Sequence, residues 1–459
     1  MDCDVVVIGA GTAGLTAYRE AKKVSDKVIL IHKGPFGTTC ARVGCMPSKV
    51  LIQVAEDYHR KQVYAQEGIL GADHLSVHIP QVLKHVRSLR DRFVRAVMGG
   101  MESFKNEIIL GEAKYLSPHT IKVGTQTITC KKSIIATGST PTIPVECIPF
   151  EKDILTTDTF FEQENLPSTM AVLGTGVIGL EIGQALSRLG IDTSVLGRSK
   201  RLAGLSDPIV NTYAIEHMGN ELCLHFASSF SLKKENGFFH ITHGQKTIKV
   251  EKILLAQGRR PNIYNLGLEN LGVDLSTSLS YDPITLKITD VPIFLAGDVN
   301  ERFPVLHEAA DDGTVAGYNA THEPTAFKRR SALKITFSDP NIASIGTPYS
   351  ALLKDSYVTG RICFEGQGRS IVKQKECGLL HLYARKNDGL LLGAELFAPD
   401  GEHLAHLLSW CHQNEMTVFD ILRLPFYHPV IEEGLRTALR DAASQIDTSK
   451  RELVPIVSS

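Results

Sequence analysis

The chain has 459 residues, 49 Lys and Arg against 50 Asp and Glu, and a formal net charge of −1. Without a Lys/Arg block there is no nucleic-acid face, and a hydrophobic share of 43% is that of an ordinary globular chain. Length alone sets an expectation of about three domains.

The N-terminus, Met1-Asp2-Cys3-Asp4, is acidic, and the apolar run that follows ends at Ile8. It is too short for a membrane span or a signal peptide and predicts a buried strand over 4–8. Gly9-x-Gly11-x-x-Gly14 comes next, then a predicted helix over 15–23 and a strand over 27–31, which together make one βαβ unit. These glycines permit a tight turn, close approach of backbone to a pyrophosphate, and helix–strand packing, with phosphate at a helix N-terminus. The second strand of such a unit normally ends in an acid that meets the adenosine ribose. Here that residue is His32, followed by Lys33. The ribose contact must be weaker, supplied differently, or made through the imidazole.

Cys40 and Cys45 follow in Gly37-Thr-Thr-Cys40-Ala-Arg-Val-Gly-Cys45-Met-Pro-Ser-Lys49. A dithiol beside a dinucleotide is suited to moving two electrons between a ring system and sulfur. The pair is expected to start a helix behind a Gly/Thr turn, where the dipole lowers a thiol pKa, with both sulfurs near one helical face. Pro47 helps fix the local backbone. Two unrelated core thiols are the alternative. Nine cysteines form an odd set, scattered apart from this pair, which argues against a secreted disulfide scaffold and for a cytoplasmic protein. No metal-ligand set is expected. Arg42 is a cation close to the pair; it could raise thiolate character, meet an acidic substrate, or simply lie on the surface.

Prolines at 141, 144 and 167 mark a break, after which the same pattern recurs: a strand over 170–173, Gly174-x-Gly176-x-x-Gly179, a helix over 180–189 and a strand over 193–196. Two fingerprints imply two dinucleotide sites. At the second strand end, where an acid would mark NAD, stands Gly197, with Arg198, Lys200 and Arg201 just beyond. A missing carboxylate beside cations favours NADP(H) over NAD(H); a solvated basic loop is the alternative. Gly258-Arg-Arg-Pro-Asn262 follows, then a strand over 293–295 and Gly297-Asp298. From about 331 there is no fingerprint, and strands over 334–337 and 391–396 with helices over 403–413 and 433–443 suggest an α+β domain. Within it His428 has Glu433 five residues on, close enough to orient the imidazole as in a His–carboxylate base; a structural His beside Pro429 is the alternative.

Taken in order, the two fingerprints (the second with Glu181), Cys40-x4-Cys45-Met-Pro-Ser-Lys49, Ala136-Thr137-Gly138, Gly258-Arg-Arg-Pro-Asn262, Gly297-Asp298 and His428-Pro-x-x-x-Glu433 resemble the flavin-type pyridine nucleotide-disulfide oxidoreductases over nearly the full length, and among them most closely the dihydrolipoamide dehydrogenases. The resemblance implies an α/β fold of two Rossmann-like dinucleotide-binding domains plus a C-terminal α+β dimerisation domain. Residues 1–150 and 271–330 would bind FAD, 151–270 NAD(P)H, and 331–459 would form the dimer interface. It implies that Asp298 holds the flavin ribitol, that Thr39, Lys49, Thr137 and Gly138 lie against FAD, and that Gly258 adjoins a nucleotide. Lys49 and Glu181 would pair beside the flavin, and Cys45 would face it while Cys40 exchanges with substrate. His428, oriented by Glu433, would carry the proton, arriving from the partner subunit of a homodimer.

The implied activity oxidises dihydrolipoamide with NAD(P)+, free or within a 2-oxo acid dehydrogenase complex, without nucleic acid or membrane as partner. The alternative is an NADPH-dependent reductase of another small disulfide, glutathione-reductase-like. Mercuric reductase is disfavoured because the tail, Val454 to Ser459, carries no cysteine pair, and a soluble transhydrogenase because both active-site cysteines are present. A docking or sensor flavoprotein is disfavoured because both cysteines, His428 and Glu433 are kept. The chain departs from the usual family pattern at Thr38, at Ala41-Arg42, at Tyr427, at His32 and at Gly197.

Overall fold

The computed structural model describes residues 1–275 and 279–446; the tail from Val454 to Ser459 lies outside them. The architecture is α/β with two nucleotide-type parallel sheets and a third, antiparallel sheet.

In the first sheet Ile108–Leu110, Val28–His32, Asp2–Ile8 and Gln126–Ile135 lie side by side in parallel, and Thr120–Val123 and Ala113–Ser117 extend it as an antiparallel meander. Ile293–Leu295 returns to pair in parallel with Gln126–Ile135, setting Phe294 opposite Ile134. Residues 5–8 are buried on both faces, which is why the strand reads as a continuous apolar run and not an alternation. The second sheet has the order Cys223–Phe226, Asp192–Gly197, Thr169–Leu173, Lys252–Leu255, Leu155–Thr156, all parallel. A three-stranded meander over Ser231–Glu235, Phe238–His243 and Lys246–Val250 adjoins it.

The two fingerprint helices run Thr12–Lys22 and Val177–Arg188. Each starts three residues before its sequence expectation, because Gly14 and Gly179 lie inside the first helical turn and not ahead of it. The helix Leu306–Thr321 packs on Thr12–Lys22 through Gly313 and Gly317, where a Cβ would overlap the carbonyl oxygens of Ala13 and Ala17. The backbones therefore touch.

The third sheet runs Leu333–Thr336, Asn341–Gly346, Leu391–Ala398, Leu379–Arg385, Tyr357–Cys363, backed by the helices Gly401–Gln413 and Glu433–Ser444. Buried polar contacts pin the second unit to it. Asp207 caps the helix Pro208–Met218 and also accepts from His381 Nδ1 at 2.7 Å and Tyr383 Oη at 2.9 Å. Glu395 in turn accepts from the backbone N–H groups of Ser206 and Asp207 at 2.7 and 2.8 Å.

Candidate active site

The two glycine turns have the same geometry. At Gly9 and Gly14 a Cβ would collide with the carbonyl oxygens of Ala136 and Gly9, and at Gly174 and Gly179 with those of Ala256 and Gly174. At the middle glycines, Gly11 and Gly176, nothing lies within 4 Å of that position. Both middle glycines are helix N-caps with no side-chain cap, so the first amides of two helices of 11 and 12 residues stay available. Each turn is closed against its own sheet and open toward one side, the shape a diphosphate needs.

Around the first turn, Ser139 Oγ donates to Asp298 Oδ2 at 2.7 Å, and Arg259 reaches Ser139 Oγ and its carbonyl oxygen at 2.8 and 2.7 Å. Thr137 and Gly138 are tied to Asn262 by hydrogen bonds of 2.7 to 3.0 Å. Gly258, at φ +92°, opens the strand Arg259–Pro261 that pairs with Ser139–Pro141. At the start of Leu306–Thr321, His307 Nε2 is buried with no hydrogen-bond partner. The open turn and this unmatched nitrogen fit a large polar ligand along this side. Ser139 and His307 were not singled out from sequence, since neither belongs to a motif with its own spacing rule, and Arg259, within Gly258-Arg-Arg-Pro-Asn262, was given no role of its own.

Both ring nitrogens of His32 have partners within the chain. The Ala10 N–H donates to Nδ1 at 3.3 Å, and Nε2 lies 3.3 Å from the Pro35 carbonyl, which can only accept. The imidazole is therefore the neutral Nε2–H tautomer with both nitrogens engaged, and burial, the largest cause, lowers its pKa.

The dithiol does not begin one helix, as the spacing suggested. Cys40 lies in Thr39–Val43 and Cys45 opens a second helix, Cys45–His59, with Gly44 breaking the chain between them at φ −118°, ψ −120°. Thr38 caps the first helix, accepting from Ala41 N–H at 3.2 Å, and does so at φ +45°, a region unfavourable to a β-branched residue. Both cysteines are free thiols. The neighbouring Cys40 thiol, as the main cause, holds the Cys45 pKa down to about 7, and Lys49 adds to the effect. The same pairing, with burial, raises Cys40. Of the two sulfurs, Cys45 is thus the one disposed to ionise first.

Lys49 lies 2.8 Å from Glu181 Oε2, and Glu181, only 3% exposed, also accepts from Phe337 N–H at 2.9 Å. Lys49 Nζ sits 4.5 Å above the Phe337 ring. Phe337 is a further residue of this junction that sequence reasoning missed. The cation felt at Cys45 is Lys49, and the charge of Arg42 is felt at His32.

At the second turn, Gly197 leaves no room for an acid: a Cβ there would overlap Thr175 Oγ1 and lie 2.7 Å from its Cγ2. Arg198, Lys200 and Arg201 are exposed and make no ion pair among the described residues.

His428 Nδ1 is 3.1 Å from both Glu433 carboxylate oxygens. Glu433 Oε2 also accepts from Val430 N–H, and these bonds, that from His428 first, hold its pKa below the usual carboxylate value. The imidazole is 79% exposed, and no hydrogen bond joins it to Cys40 or Cys45 among the described residues.

Two dinucleotide folds, a polarised dithiol at their junction and an outward-facing His–carboxylate pair define a class: nucleotide-linked oxidoreductases that work on sulfur. Residues 3–313 match the family profile "Pyridine nucleotide-disulphide oxidoreductase", and 333–439 match its dimerisation domain. The chain belongs to the pyridine nucleotide-disulphide oxidoreductase family. It is 28% identical over 447 residues to a dihydrolipoyl dehydrogenase of Geobacillus stearothermophilus, covering 94% of each chain. It is 27% identical over 457 residues to a mercuric reductase of Staphylococcus aureus, covering 95% of this chain and 82% of that one. Among solved structures, the HOCl-induced flavoprotein disulfide reductase RclA from Escherichia coli superposes with a TM-score of 0.83 at 19% identity, covering 96% of this chain and 99% of that one. LpdA from Mycobacterium tuberculosis does so at 0.83 and 22%, covering 95% and 99%. No helix among the described residues is long and apolar enough to cross a membrane.

Proposed function

We propose that the protein is an FAD-dependent, NAD(P)(H)-linked oxidoreductase of a small dithiol or disulfide, with dihydrolipoamide as the leading substrate. The observation that carries this reading is the placement of the two thiols, Cys40 in Thr39–Val43 and Cys45 opening Cys45–His59 just past the Gly44 break, with the Lys49–Glu181 pair one turn further on. FAD would be held by the turn of Gly9, Gly11 and Gly14, by Thr39, Lys49, Thr137 and Gly138, and by Asp298. When bound it supplies a two-electron relay between nicotinamide and the dithiol. NAD(P)H would sit on Gly174, Gly176 and Gly179 near Gly258. Residues 1–150 with 271–330, 151–270 and 331–459 are the corresponding working units.

In dithiol oxidation, His428 from a second copy of the chain would take a proton from the substrate thiol, its ring held by Glu433. The substrate thiolate attacks Cys40 of a Cys40–Cys45 disulfide and Cys45 leaves as thiolate, stabilised by Lys49. The second substrate thiol then closes the product ring and displaces Cys40. Such a shared site makes a homodimer a requirement.

The room denied to an acid at Gly197, with three free cations beside it, favours NADP(H), and with it a second reading: NADPH-dependent reduction of another small disulfide. Turnover of dihydrolipoamide with NAD+ and with NADP+ separates the two. No turnover with either acceptor, from protein whose flavin NADPH still bleaches, rules out lipoamide.

A further inference from the structure

Arg42 is half-buried on the helix Thr39–Val43, and its Nε is fully buried with no hydrogen-bond partner among the described residues. It forms no ion pair among the described residues, whereas nearby Lys33 is taken up by Glu112 at 2.9 Å. A guanidinium cannot shed its proton, so an unmatched buried N–H calls for an acceptor. The charge is also felt at His32, where it helps keep the ring neutral after the larger effect of burial. His32 in turn accepts from Ala10 N–H, between Gly9 and Gly11. Arg42 is therefore a cation without a carboxylate partner among the described residues, and its charge is felt at His32, the strand end where the usual acid is missing.

We propose that Arg42 binds the diphosphate of FAD, so that this chain anchors the adenosine half of its flavin by a cation–anion contact in place of a carboxylate on the ribose. The inference rests on the flavin reading above. Guanidinium matches phosphate oxygens in planar, two-pronged geometry, and the free amides at the start of Thr12–Lys22 would share the same anion. His32 becomes a support for the turn, fixing Ala10 while Arg42 provides the affinity.

The test uses the full-length protein stripped of flavin and titrated with FAD, followed by flavin fluorescence, at several salt concentrations. Arg42→Gln is expected to weaken FAD by about tenfold to a hundredfold and to flatten the salt dependence, with Arg42→Lys between it and wild type. ADP should compete for the wild-type site and do so less well in Arg42→Gln. The flavin-free variant should melt at or above the wild-type temperature, because an unmatched buried N–H has been removed. FAD binding by Arg42→Gln within twofold of wild type overturns the proposal. So does a loss of affinity that accompanies a lower melting temperature of both flavin-free variants, which would make Arg42 a structural residue. If wild type itself takes up no FAD, the flavin reading fails first and this inference with it.

Discussion

Lys49 Nζ lies 2.8 Å from Glu181 Oε2 although the two residues belong to different nucleotide-binding units, and the backbone of Phe337 in the third unit donates to the same carboxylate. All three units of the chain converge on one buried carboxylate. Glu181→Gln removes its charge and keeps an acceptor for Phe337; Glu181→Ala removes both. We expect denaturant unfolding to show Glu181→Ala as the less stable, by about 1 kcal/mol for the additional lost hydrogen bond. Equal losses would mean that the contact to Phe337 contributes nothing.

Because the Cys45 pKa is lowered to about 7, its thiolate prevails above that pH and is lost as the pH falls through it. Alkylation of the reduced protein should therefore reach half its maximal rate near pH 7. The largest cause is the neighbouring Cys40 thiol, so Cys40→Ala should move the midpoint upward, and Lys49→Met should move it upward by less. A midpoint unmoved in Cys40→Ala would show that the two sulfurs do not share a proton.

Thr38 combines a cap with an unfavourable φ of +45°. Thr38→Ala loses the cap and keeps the strain, while Thr38→Gly loses both. The glycine variant should be the more stable of the two, by about 1–3 kcal/mol in thermal or denaturant unfolding. An alanine variant as stable as the glycine variant would mean that the backbone there is relaxed.

Coenzyme choice should follow Thr175. Gly197→Glu alone should give a poorly folding protein, since its Cβ overlaps Thr175 Oγ1. Adding Thr175→Gly should restore folding and shift the ratio of kcat/KM values from NADPH toward NADH by about tenfold or more, because the new carboxylate repels a 2′-phosphate and accepts from ribose hydroxyls. An unchanged ratio in the folded double variant would separate coenzyme choice from this strand end.

His428→Gln should lower dithiol turnover by about 10²–10⁴-fold, the range for a lost general base. Glu433→Gln should cost less, because it disturbs only the orientation of the ring. Reduction of ferricyanide by NAD(P)H should survive in both. Since the Glu433 pKa is depressed below its ordinary 4.5, the orienting contact persists at neutral pH and is lost as acid protonates it in the folded state. Wild-type turnover should approach that of Glu433→Gln at that acidic limit.

The apolar run at 5–8, the two spaced glycine triplets and the cysteine spacing were enough to read the α/β class and the location of both turns, because each is a local pattern with a direct backbone cause. The break at Gly44 was not legible, since nothing in Cys40-Ala-Arg-Val-Gly-Cys45 shows that glycine ends one helix and begins another. Nor was the fate of His32: its position marks a missing acid, but its two hydrogen bonds depend on Ala10 and on the turn at Pro35. Phe337 and Ser139 act through contacts with residues far away in the chain, and no spacing rule reports those.

The return of Ile293–Leu295 to the strand Gln126–Ile135, with the helix Leu306–Thr321 then closing on Thr12–Lys22, has a consequence for biosynthesis. During translation the first turn emerges early, but its sheet lacks a strand and its helix lacks a backing until the whole second unit has left the ribosome. The second unit is continuous in sequence, though its core also takes in Leu51, Leu83 and Phe397. The order of folding should then run against the order of synthesis, with the unit made later organised earlier, and the first nucleotide pocket assembled around an already folded insert.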